Sequence, residues 1–146
     1  WSVNVATSAA PAFLDKYNAT GTAEYGKSIG YILGSASPVL YLGRLTGANN
    51  ELYNLDTRDP AAIKRLGSID ISGDVNAIVV RDYLMFLATN DANNEFKIYN
   101  ISDSSNMTLW SSFNFPQDAT DIDYEDNLIF VSVRSNDALR IITSAP

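Results

Sequence analysis

At 146 residues, with 46% apolar and 11% aromatic side chains, the chain can bury a core and is not a disordered segment. Seventeen acidic against ten basic residues leave a net charge of −7, and the basic ones are scattered singly apart from Lys64-Arg65, which argues against a nucleic-acid partner. Cysteine and histidine are both absent, which excludes disulfides, zinc–thiolate sites, thiol nucleophiles and imidazole bases.

Residues 1–5 alternate like the end of a third strand, 12–18 read as a fourth, and Gly21 ends it, so 1–21 is expected to be a partial unit. Residues 26–73 follow as a full unit, with strands expected at 29–33, 39–44, 51–55 and 63–71 and a longer first turn through 34–38. Asp59-Pro60, ahead of Ala61-Ala62-Ile63-Lys64-Arg65-Leu66, could cap and start a helix. Register with the next block favours a turn followed by a strand. Residues 74–117 carry strands at 76–80, 83–89, 95–101 and 108–115, separated by Arg81-Asp82 and by the Asn, Asp and Ser clusters at 90–94 and 102–106. Residues 118–146 repeat three of these, at 120–124, 128–134 and 138–143, and then reach Ser144-Ala145-Pro146. The longest apolar runs, such as 83–88, are too short to span a bilayer, so no membrane insertion by this chain is expected. No initiating Met or signal-peptide pattern precedes Trp1, which reads as the start of a processed or partial chain.

The blocks recur. Asp74 matches Asp118, Ile78 matches Ile122 and Phe86 matches Phe130, each at an offset of 44. Ser68-Ile69-Asp70-Ile71 matches Ser112-Phe113-Asn114-Phe115 at the same offset, whereas Tyr53-Asn54-Leu55 is aligned with Tyr99-Asn100-Ile101 at 46. A period in the forties built from short strands points to a radial or stacked repeat. The strings YNISDSSNMTLWSSFNF, beginning at Tyr99, and NLDTRDPAAIKRLGSIDI, beginning at Asn54, resemble the LVIVD-type β-propeller repeat. Pro60 and Gly67 keep the motif's proline and glycine, and residues 82–88 and 126–131 look like copies of its last strand. The resemblance implies an all-β, propeller-like array of about three four-stranded antiparallel blades. It also implies secreted or cell-surface repeat proteins of bacteria or archaea, without a cofactor or an assigned reaction. Closed propellers usually need four to eight blades. The expected partners are therefore further copies or further blades of the same parent protein, with the N-terminal strand completing the last blade within a chain or between chains.

Candidate chemistry is sparse, and no catalytic set is read from the sequence. Asp121 and Asp123, two apart on one strand, project to one side and could bind a cation or a sugar hydroxyl together with Asp118; a solvated strand is the plainer reading. Asp74 and Asp118 recur ahead of inner strands, which suggests a turn or capping role. Asp91-Ala92-Asn93-Asn94-Glu95 offers oxygens at alternate positions but lacks the pattern of a calcium loop. Asn18, Asn100 and Asn106 open N-x-[ST] triplets, compatible with an exported, glycosylated protein. The eight tyrosines are mostly expected to pack between blades, and Trp1 and Trp110 to pack at an edge or interface. The function expected is a non-enzymatic extracellular structural, adhesive or protein-interaction module. The alternatives are a carbohydrate- or cation-binding module, or a carboxylate-based glycosidase at a propeller axis.

Overall fold

The computed structural model describes residues 2–6, 10–18, 25–32 and 38–143. Trp1, Gly21, the turn through 34–37 and Ser144-Ala145-Pro146 lie outside the described residues. The described residues form thirteen strands and no helix, arranged as four antiparallel sheets. A hairpin of β1 (Ser2–Asn4) and β2 (Ala12–Asp15) comes first. The first full sheet is β3 (Gly26–Tyr31), β4 (Val39–Arg44), β5 (Leu52–Asp56) and β6 (Lys64–Ile69). The second is β7 (Val75–Arg81), β8 (Leu84–Thr89), β9 (Phe96–Asn100) and β10 (Thr108–Phe113). The third holds β11 (Ala119–Glu125), β12 (Leu128–Val133) and β13 (Leu139–Thr143). Each sheet is a meander in which every strand pairs with the next in sequence.

Local chemistry sets the turns. Asp126 and Asn127 join β11 to β12 with φ of 50° and 64°, the left-handed pair that suits a two-residue hairpin and that Asp and Asn tolerate. At 59–62 the helix start does not propagate. The Asp59 carboxylate accepts the Ala61 N–H at 2.9 Å, Ala62 N–H closes back on the Asp59 carbonyl at 3.0 Å, and a strand begins at Lys64. An Asx turn satisfies the backbone locally, and β6 gains a ladder along β5 that a helix would forgo.

Bulges fix the register. In the β5–β6 pair Leu66 is skipped, and in the β9–β10 pair Trp110 is skipped. Val3 pairs with Phe13 and Ser2 with Asp15, which skips Leu14 at the same place. The N-terminal hairpin is therefore a third-and-fourth-strand hairpin with its bulge retained. The pairs Leu55–Arg65 and Tyr99–Leu109 also make Leu55 the counterpart of Tyr99, at an offset of 44. This corrects the alignment at 46. A slip of two residues leaves every side chain on its original face, so alternation alone does not reveal it.

Sheets pack through their first strands. β7 lies against β3 and β4, and β11 lies against β7 and β8. Val75, Ile78, Met85 and Leu87 join Tyr41, Leu52 and Ile71 in one buried cluster. Phe86, Ala88 and Phe96 join Ile122, Val131 and Val133 in the other. The approach is close: a Cβ on Gly43 would stand 2.6 Å from Val75 Cγ1, and one on Gly30 would collide with Ile78. Gly43 has Ala88 and Ser132 as its counterparts by strand register, so each of the three larger sheets keeps a small residue there.

The N-terminal hairpin does not complete the third sheet within one copy. β2 pairs with β1, and β13 pairs with β12 alone among the described residues. The hairpin instead lies beside the first sheet: Ser2 Oγ donates to the Pro60 carbonyl, Ile63 N–H donates to Asp15 Oδ2 at 2.8 Å, and Tyr17 packs on Tyr53 at 5.9 Å. β2 is occupied by a partner strand already matched to it.

Candidate functional site

Asp121 and Asp123 stand where the second sheet has Ala77 and Val79, a correspondence fixed by the pairs Ala77–Ala88 and Asp121–Ser132. Ala77 and Val79 pack against the next sheet, whereas both carboxylates are exposed. They share a face, as their spacing requires, and line a shallow 170 Å³ depression with Ile122, Phe130, Ser132 and Leu139. Asp121 Oδ1 accepts the Ile122 N–H at 2.9 Å and Asp123 Oδ1 accepts the Tyr124 N–H at 2.8 Å. Asp118 is apart from that depression and pairs with Arg134 at 3.6 Å. No group of three His, Cys, Asp or Glu able to hold a metal ion occurs among the described residues. The three aspartates thus form a carboxylate pair plus one ion-paired neighbour.

Asp74 bridges to the preceding sheet. Its carboxylate takes the Thr46 N–H at 2.8 Å and the Lys27 ammonium at 3.0 Å, tying the second sheet to the first. Burial pushes its carboxyl up, and the Thr46 N–H and Lys27 outweigh this, leaving it below the usual carboxylate range.

The loop at 91–95 spends its oxygens on the fold. Asp91 Oδ2 holds Lys97 Nζ at 2.6 Å, both buried, and Lys97 also donates to the Ile71 carbonyl at 2.8 Å. Burial pushes the Asp91 carboxyl up, but Lys97 and the Asn93 N–H together hold it below its ordinary value. Glu95 Oε2 accepts the Phe115 N–H at 2.6 Å, and Glu51 Oε2 accepts the Ile71 N–H at 2.8 Å. These are one device 44 residues apart: a buried glutamate beside the third strand catches the backbone leaving the fourth. Asn50 with Ser68 and Asn94 with Ser112 repeat beside it, at 3.0 and 2.8 Å. Sequence reasoning missed the latch, although the recurring Asn-Glu dipeptide signals it. In the third sheet its place falls to Ala138, whose carbonyl accepts the Val133 N–H as the Glu95 carbonyl accepts that of Thr89.

An open region lies at that sheet's edge. A groove of about 480 Å³ runs between β13 and the outer half of the second sheet, with Phe96, Ile98, Phe113, Ile141 and Ile142 among its walls. Phe113 and Ile141 are 58% and 56% exposed, an unusual setting for side chains that size. The groove is apolar and flanked by strand β13, whose outer backbone edge has no paired strand among the described residues. Such an edge exposes backbone donors and acceptors along one side of the groove.

Among the sequons, Asn18 and Asn106 are exposed, while Asn100 is half-buried and accepts the Ser102 N–H at 2.9 Å. Tyr41, Tyr53 and Tyr99 are core, and burial pushes the hydroxyls of Tyr41 and Tyr99 up to about 12. Tyr124 stacks on Phe86 at 5.8 Å, whereas Tyr25, Tyr31 and Tyr83 are exposed and depart from the packing role expected of them. Trp110, the bulged residue of β10, is 63% exposed. A bulge turns its extra side chain out of the ladder, which is why an aromatic is tolerated there. No described helix is long and apolar enough to cross a membrane.

No family model matches the chain, and no curated protein does. Among solved structures, it is similar to one titled "Crystal structure of the computationally designed Ika4 protein". That likeness has 8% identity over 86% of this chain and 94% of that one, with a TM-score of 0.47.

Proposed function

We propose that the chain is a non-enzymatic structural and protein-interaction module of a secreted or cell-surface repeat protein, its meanders serving as blades of an LVIVD-type propeller-like array. The observation that carries this reading is the outer edge of the third sheet. Among the described residues no strand pairs with the outer edge of β13 and an exposed apolar groove adjoins it, and sheets of this kind find shelter only against a neighbour. The partner is a further copy or further blades of the same parent, and the interaction is through sheet edges. The buried acids Glu51, Glu95 and Asp91 support it too, since each is committed to holding backbone or a lysine in place. The exposed sequons at Asn18 and Asn106 accord with an extracellular location.

A carbohydrate- or cation-binding module is the second reading, favoured by Asp121 and Asp123 lining one depression with Phe130 and Leu139. A glycosidase would further need one of two facing carboxyls raised into the role of acid. Thermal unfolding separates the first two. For an assembling module the midpoint rises with protein concentration and is indifferent to calcium or oligosaccharides. A midpoint that calcium or a sugar raises, and that Asp121→Asn with Asp123→Asn no longer responds, replaces the first reading with the second.

A further inference from the structure

We propose that the free edge of β13 takes, as its fourth strand, β2 of a second copy of this chain, a joint that rests on the interaction-module reading. The 480 Å³ groove lies where a fourth strand and its turn belong. At the joint between the first and second sheets, the corresponding space is filled by Ile101 and Met107, which flank the β9–β10 turn and share a buried cluster with Leu52. The third sheet has no such filling among its described residues.

β2 fits that vacancy by register. Its bulge at Leu14 matches those at Leu66 and Trp110, so it is a fourth strand in its own pairing. It is also seated as one: Ser2 Oγ donates to the Pro60 carbonyl as Asn54 Nδ2 donates to that of Ser104, 44 residues on. The hairpin therefore occupies the outer half of a sheet docked on the first sheet. Its third strand, β1, has three residues, whereas β13 offers five. Exchange of β1 for the β13 of another copy lengthens the ladder, closes the groove, and places a third sheet against a first sheet in the geometry the chain already uses. The register is then specified: Ala12 faces Thr143, Phe13 faces Ile142, and Lys16 stands opposite Arg140. That last like-charged pair weakens the joint.

Disulfide trapping tests it, since the chain has no cysteine of its own. Ala12→Cys and Thr143→Cys, both at exposed positions, are made in separate copies, mixed and mildly oxidised, with sedimentation velocity on the unsubstituted protein alongside. The expected result is concentration-dependent assembly, a mixed disulfide between the two variants, and none between Ala12→Cys and Leu139→Cys. Lys16→Glu, which leaves both cysteine sites alone, should tighten the assembly severalfold, and the gain should shrink in salt. Assembly without the in-register disulfide overturns strand addition and leaves the module reading standing. A disulfide formed only within a doubly substituted chain overturns the exchange between copies. A monomer at every concentration overturns both.

Discussion

Glu51 and Glu95 each give up water to hold a single backbone N–H, that of Ile71 or Phe115, at the exit of a fourth strand. Removal of either carboxylate leaves a buried N–H with no acceptor, which costs about 1–3 kcal/mol. Glu95→Ala is expected to lower the free energy of urea unfolding by that amount, and Glu95→Gln, which keeps an acceptor, by less. Asp91 makes a different demand. Its carboxyl is lowered in the folded state, so the native chain binds fewer protons there than the unfolded chain. The stability it contributes is full above the unfolded carboxylate value, about pH 4, and is lost as the pH falls through its lowered value. Asp91→Asn is expected to be less stable at neutral pH, because the buried Lys97 keeps the Ile71 carbonyl but loses its counter-ion, at a cost of up to about 3–5 kcal/mol. Its stability should also fall less steeply in acid. A chemical-unfolding series across pH reads both effects.

At the scale of elements, the joints between sheets depend on small residues at one strand position: Gly43, Ala88 and Ser132. Gly43→Val would drive a branched side chain into Val75 and Ser28, an overpacking expected to cost about 1–3 kcal/mol or more, measurable as a lower unfolding midpoint. The outer face of the third sheet is the reverse case. Asp121 and Asp123 occupy positions that are Ala77 and Val79 one sheet earlier, so in the joint proposed above their charge, like the Lys16–Arg140 pair, weakens the packing without removing the strand ladder. Asp121→Ala with Asp123→Val rebuilds the second sheet's face on the third. The expected outcome is stronger self-association in sedimentation, with the fold unchanged by circular dichroism. These elements also show what alternation conveys. The strands of the second sheet are readable within a residue or two from branched and aromatic runs broken by Asn, Asp and Ser. The helix-like start at Asp59-Pro60 is rejected by register, because local propensity cannot weigh the ladder that Lys64 to Ile69 forms with β5.

For the whole molecule, a first sheet facing a third sheet of another copy is a head-to-tail contact. Such contacts close into rings when the rotation per copy allows it and otherwise extend as filaments. Either outcome suits the interaction module proposed above, and the trapping experiment reports the contact itself. The sequence by itself determined an all-β chain and the absence of imidazole and thiol side chains from it, because composition and period-two alternation are properties of single strands. The tertiary structure alone decided which residues are partners across strands and sheets. The Glu latches, the Asp91–Lys97 pair, the bulge at Leu14 and the groove beside β13 all join residues distant in sequence or depend on register. A shift of two residues is invisible to alternation, and only the paired backbones distinguish it.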